Sequence, residues 1–264
     1  MISLLPIWAI VIRHLRILRR NPNVLLFGIY WPLLDVLIMG YLGSWIQGMQ
    51  SSQCCNYEVT MLLGLLLWQV IGRGSNSIIT TFSEELWTHN VVNLFSLPLR
   101  ITEWICGAII FYIIMVMVIA VASIGVVSIF YNVSIWYITS TFLLFLPPLL
   151  FSGIWLGFTA LQIIVMLGKR GVELGYVIGW FLLPFSGAYY PIEVLPLWAQ
   201  KLSAFLPMSY ISQGMREYVM YQKSPLSYLI KAYILSFLYG LSAVLLFVYC
   251  FNKSKQTGLA RLMD

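Results

Sequence analysis

Residues 189–210 read YYPIEVLPLWAQKLSAFLPMSY. The stretch is too apolar for an ordinary loop. Yet Pro191, Pro196 and Pro207 break it too often for a straight membrane-crossing helix, since each proline removes a helical hydrogen bond and crowds the preceding turn. What surrounds it decides how it is read.

The surroundings are apolar. Of the 264 residues 61% are hydrophobic and only 9% are charged, with a mean hydropathy of +0.89, whereas soluble domains carry about 25% charged residues. Such a chain resides in a membrane. A crossing helix needs about 20 mostly apolar residues, and runs of that kind fall at 23–46, 58–79, 103–130, 135–167, 172–190 and 226–250. The expected fold is an all-α integral membrane domain of six transmembrane helices over 1–264. No interval is left for a soluble domain, because the polar parts are the N-terminal 20 residues, a patch around 80–101 and the tail after Phe251.

The N-terminal segment carries its charges after its apolar part and shows no small-residue cleavage site, so it is expected to be retained. On a helical wheel Leu4, Leu5, Trp8, Ile12 and Leu15 form an apolar stripe, and Arg13, Arg16 and Arg20 share another face. That is the pattern of a helix lying in the membrane interface over 1–22. Asn21 and Pro22 suit the cap and first turn of the helix that follows. With both termini cytoplasmic, the cytoplasmic flanks collect eleven of the 15 Lys and Arg residues, Arg73 included, leaving Lys201, Arg216, Lys223 and Lys231 outside. This sets the expected orientation in a cell inner membrane. It also explains the net charge of +6 through membrane lipids, with no nucleic-acid partner. Cys54 and Cys55 fall in the first outward loop and Cys106 and Cys250 in or near spans, none at metal-ligand spacing. The sequon at Asn132 reads as chance.

Residues for catalysis are missing. His14 and His89 are the two histidines, both expected at the cytoplasmic surface, with no Cys, His or acidic pair at metal-ligand spacing. Neither a GxSxG elbow nor a glycine-rich phosphate loop ending in GK[ST] occurs, so no catalytic residue, metal or cofactor is assigned to the chain. The patch at 82–97 is more informative. Phe82, Leu86, Val91, Leu94 and Phe95 recur at helical spacing, opposite Ser83, Glu84, Glu85, Thr88, His89 and Asn90. Thr81 with Glu84 fits a capping box and Pro98 a stop, which predicts a separate short amphipathic helix. A connector resting on headgroups accounts for it. A docking knob for a soluble protein accounts in addition for two carboxylates beneath an anionic lipid surface.

Within the spans, Asp35 lies about 18 Å from the cytoplasmic end of the first and Arg73 roughly 10 Å inside the second. A charge at such depth is costly and marks function by default. With no second intramembrane acid to pass a proton on, a structural ion pair is favoured over a relay. Gly171, Gly175 and Gly179 repeat every four residues, a face that lets another helix approach, either within the chain or across a dimer. Pro147 and Pro148 halfway along an over-long fourth span predict a kink or tilt.

In order and spacing these pieces resemble the ATP-binding-cassette type-2 transporter permease family, over nearly the whole chain. The stretch ELWTHNVVNLFSLPLRITEWICG (85–107) is similar to that family's acid-led coupling helix, followed by Pro98, Arg100, Glu103 and Gly107. The stretch SGAYYPIEVLPLWAQKLSAFLPMSYISQGMR (186–216) is similar to its succession of small residue, aromatic and proline, then Leu-Pro-x-Trp and Leu-Pro-x-x-Tyr. The resemblance implies a re-entrant helix pair over 189–215, built on Pro191, Glu193, Pro196, Trp198, Pro207 and Tyr210. It further implies coupling to a separate ATPase subunit through Glu84, Glu85, Trp87 and His89, with ATP and Mg on that partner. The assembly would be a homodimer or a pair with a sister permease, exporting a lipid, lipid-linked glycan or drug along the interface. Physics agrees for the proline-broken element: Trp198 and Tyr210 suit a membrane interface, while Glu193, Gln200 and Lys201 need water. A membrane-embedded transferase acting on a lipid carrier and a scaffold for envelope assembly are the competing readings.

Overall fold

The computed structural model describes residues 3–20, 22–49, 57–131, 135–221 and 223–263. Asn21, Cys54, Cys55 and the sequon at Asn132 lie outside them. Among the described residues all regular structure is helical: α1 Leu4–Arg20, α2 Pro22–Met49, α3 Tyr57–Trp87, α4 Val91–Ser96, α5 Ile101–Phe130, α6 Ile135–Leu167, α7 Arg170–Leu182, α8 Leu197–Phe205, α9 Pro207–Tyr221 and α10 Leu226–Thr257. Short 3-10 turns follow α7 at Leu183–Phe185 and precede α8 at Ile192–Val194. Among the described residues three stretches are long and apolar enough to cross a membrane, Ile101–Phe130, Thr139–Leu167 and Leu226–Thr257.

α3 lies at the centre, between α2, α5, α6 and α9, and α6 also runs along α10. The reason is in its sequence. Every residue from Leu62 to Ile71 is buried, and a helix that is apolar all round has to be surrounded. Near the α1 end, the rings of Phe82, Phe95, Trp104, Phe158, Phe247 and Phe251 form one cluster with centroids 4.6–6.5 Å apart, all buried. This cluster joins α3, α4, α5, α6 and α10. α6 is not divided at Pro147 and Pro148 and runs through both.

Several expectations change. The fifth apolar run does not form a helix to 190. α7 stops at Leu182, because Pro184 cannot continue the hydrogen-bond ladder and Gly187 turns the chain at φ +67°. Its 13 residues extend about 20 Å. The separate helix expected over 82–97 is absent. Residues 82–87 are instead the last turns of α3, with Thr81 donating to the Ile78 carbonyl inside the helix rather than capping a new one. His89, at φ 54°, makes the turn, and six residues of α4 follow. The glycine face divides as well. A Cβ on Gly171 would meet the Ile163 carbonyl at 2.9 Å and one on Gly175 the Ile164 side chain at 3.0 Å, so both pack on α6 within the chain. Gly179 faces open space. Cys106 and Cys250 are free.

α1 has three faces. Leu4, Leu5, Trp8, Ile12 and Leu15 are exposed, as an interfacial helix requires, and the arginines occupy a second face. The third, Ile7, Ile10, Val11 and His14, is buried against α5, where Gly107 leaves room for Ile10. His14 is therefore a core residue and not a surface one.

Candidate functional site

Gln69, Arg73, Asn76, Thr80 and Glu84 follow one another at intervals of three or four, so they share one face of α3. The face is a polar seam through an apolar bundle. At its centre Arg73 Nη2 donates to Asp35 Oδ2 of α2 at 2.8 Å, the side chains remaining 20% and 30% exposed. Deeper in, the buried Gln69 amide donates to the Pro32 carbonyl of α2 at 3.2 Å, and its oxygen accepts from Ser123 Oγ of α5 at 2.9 Å. Thr80 shares a hydrogen bond of 3.2 Å with the Tyr176 hydroxyl of α7.

Two cavities meet at this seam, and Arg73 and Asn76 line both. A small one of about 20 Å³, between α2, α3 and α7, is bounded also by Asp35, Gly179, Trp180 and Tyr189. That is room for a water molecule. A larger one of about 230 Å³ opens between α2 and α5. Asp35→Asn and Arg73→Gln are each expected to lower stability by about 2 kcal/mol, because each takes a charge-assisted hydrogen bond, worth about 1.5–3 kcal/mol, from a partly buried partner. The double variant should cost less than the sum. Strict additivity in detergent melting curves would show that the two charges do not act together.

At the end of the seam the sequence-selected acids turn inward. Glu85, its side chain 2% exposed, accepts from Arg13 Nη2 of α1 at 2.8 Å and from Asn90 Nδ2 at 2.8 Å. Glu84 lies 3.4 Å from His14 Nδ1. His89 Nε2 stands 2.9 Å from Lys169 Nζ. These groups hold α1 and the head of α7 against α3, so they are not a free acidic face. The exposed large apolar side chains here are Trp87, 52% exposed, with Val92 and Leu97 beyond it. Sequence reasoning missed Arg13 as the partner of Glu85, since nothing local ties residues 72 apart. Glu103, expected only as part of a motif, ties the N-terminus down: it accepts the Arg100 N–H at 3.1 Å and the Ser3 N–H at 3.1 Å.

The proline-broken element lies near the other end of α3. Pro191, Pro196 and Pro207 each stand where a helical segment begins, heading Ile192–Val194, α8 and α9. α8 and α9 extend about 14 and 22 Å, and neither reaches the roughly 30 Å of a hydrocarbon core. On α8, Leu197, Trp198, Leu202 and Phe205 are exposed while Ala199 and Ser203 are buried, and Trp198 meets Phe185 at 6.0 Å. Gln200 donates to the Glu193 and Leu195 carbonyls, and Glu193 is exposed. Tyr210 donates to the Ala204 carbonyl, with Lys231 Nζ 5.7 Å from its ring. Ala188 abuts α3 so closely that only glycine fits at Gly64. The Ala188 carbonyl also accepts from Arg216 at 3.3 Å. Burial pushes that guanidinium down to about 10, and the Glu193 carboxylate pulls it up. It stays charged at neutral pH.

No metal-ligating cluster occurs among the described residues. A scan against protein-family models finds no match for this chain, and a search of the curated proteins finds none.

Proposed function

We propose that this chain is the membrane subunit of an ATP-driven exporter, moving an amphiphilic substrate outward along the interface between two such subunits, with a separate ATPase supplying ATP and Mg. In this reading six segments cross the inner membrane with both termini cytoplasmic, the fifth as α7 extended by the 3-10 turn Leu183–Phe185, and 189–215 dips into the outer leaflet and returns. A single observation carries the reading: one helix, α3, joins three things an exporter must link. Its end presents the exposed Trp87, its middle holds the Asp35–Arg73 pair, and at Gly64 it bears on the Ala188 carbonyl of the proline-broken element. A push on the Trp87 end is thereby passed along a rigid rod of 31 residues to the far side.

The docking surface in this reading is Trp87 with Val92 and Leu97, Glu84 and Glu85 serving to hold α1 in place beneath it. Removing a central aromatic anchor costs about 2 kcal/mol or more, roughly 30-fold in affinity. Trp87→Ala is thus expected to weaken co-purification of the ATPase by that factor and to uncouple hydrolysis from transport in reconstituted vesicles. Full recruitment and full transport by a Trp87→Ala, Val92→Ala, Leu97→Ala variant would rule this surface out.

A further inference from the structure

The larger cavity is a cleft with unlike walls. Phe111, Met115, Val118, Ile119 and Ala122 of α5 make one side apolar, and Arg73, Asn76, Ser77 and Thr80 of α3 make the floor. Leu18 of α1 closes one end and Pro32 and Leu33 of α2 the opposite flank. By helical rise, Thr80 and Arg73 lie about 10 and 21 Å from the Trp87 end of α3, so the cleft runs inward from the level of α1 to mid-bundle. Val118 and Ala122 on its rim are exposed, on a helix long and apolar enough to cross a membrane, so the opening faces hydrocarbon.

Water has polar partners only along the α3 floor. Arg73 is engaged by Asp35, Ser77 donates to the Gly74 carbonyl, Thr80 to the Asn76 carbonyl and Ser123 to Gln69. The remaining N–H groups of Arg73 and the Asn76 amide can hold water at the floor, whereas the wall of Phe111, Met115, Val118, Ile119 and Ala122 offers it no partner, and a buried water needs two to four. An apolar cleft at this depth takes what surrounds it, a lipid chain. Its α1 end says which lipid. Leu18 is followed by Arg19, exposed and not ion-paired among the described residues, at the height of a headgroup, while Arg20 lies on the other side of α1 with Arg13 and Arg16.

We propose that the cleft between α2 and α5 binds an acyl chain of an anionic phospholipid, whose phosphate pairs with Arg19 at the end of α1. The site does not depend on the export reading. It binds bilayer lipid on the flank of the chain and requires no ATPase.

The test uses the full chain in phosphatidylcholine vesicles with tracer phosphatidylglycerol, or tracer phosphatidylcholine, carrying a photoactivatable group on the acyl chain. Adducts are mapped by peptide mass spectrometry. Phosphatidylglycerol is expected to label Met115, Val118 and Ala122 at least fivefold above Leu241 and Leu245, exposed residues of α10 that report ordinary lipid contact. Ala122→Trp, which fills the rim, should abolish that excess without changing the α10 signal. Arg19→Gln, a surface change that leaves the core intact, should lower it roughly fivefold and Arg19→Glu further. Labelling of α5 no higher than of α10, or undiminished by Ala122→Trp, overturns the site. Equal labelling by the two tracers, or indifference to the arginine changes, overturns the assignment to an anionic lipid.

Discussion

Glu85→Lys is expected to destabilise the fold by about 3–5 kcal/mol, the range for leaving one member of a buried ion pair without its partner. The carboxylate is shut off from solvent between Arg13 and Asn90, so a lysine there sets two cations together and strands both donors. Glu84→Lys, on the more open side of the same turn and facing His14 at 3.4 Å, should cost no more than about 1 kcal/mol. Melting curves separate the two, and limited proteolysis should show α1 released in the first variant only. Equal effects would mean that the α1 corner is not held by Glu85. The contrast also bears on function, because a loss of ATPase recruitment in Glu85→Lys would report a detached α1 and not a lost docking contact.

Trp104→Ala should cost about as much, 3–5 kcal/mol, by opening a void in the ring cluster that joins five helices. Its indole Nε1 is buried with no acceptor among the described residues, so the ring matters for its volume and not for its donor. Trp104→Phe is accordingly expected to stay within about 1.5 kcal/mol of wild type. If the phenylalanine variant is as damaged as the alanine variant, the indole N–H makes a hydrogen bond that the fold depends on.

Much of this was legible because it rests on local chemistry. Helical class follows from long apolar runs, the starts of α8 and α9 from Pro196 and Pro207, and the meeting of Asp35 with Arg73 from the cost of leaving either alone. The end of α3 was misread for a local reason too. Phe82 and Leu86 were taken to begin a new stripe, but they continue the register of Ile78 and Ile79, and no glycine or proline intervenes between Gly74 and Pro98. The unbroken register as far as Leu86 was the better signal, although α3 then ends at Trp87 without glycine or proline, at the turn that His89 makes. In the fifth run, Pro184 was a breaker and was passed over. The inward turn of Glu85 was out of reach, since its partner is 72 residues away on a helix whose packing face, Ile7, Ile10, Val11 and His14, lies between the two stripes that its periodicity suggested.

The polar ties inside the bundle carry a mechanical meaning. Gln69 fastens α2, α3 and α5 together, the Tyr112 hydroxyl reaches the Leu150 carbonyl to fasten α5 to α6, and the Gln162 amide reaches the Ala243 carbonyl to fasten α6 to α10. Each acts as a pin at a set height, and sliding one helix past its neighbour breaks a buried hydrogen bond at a cost of about 1 kcal/mol or more, with no water at hand to replace it. Pins in series leave the helices no easy slip plane. A gap wide enough to pass a large molecule therefore opens more cheaply beside this block of helices than through it, and the block travels as a unit when it moves.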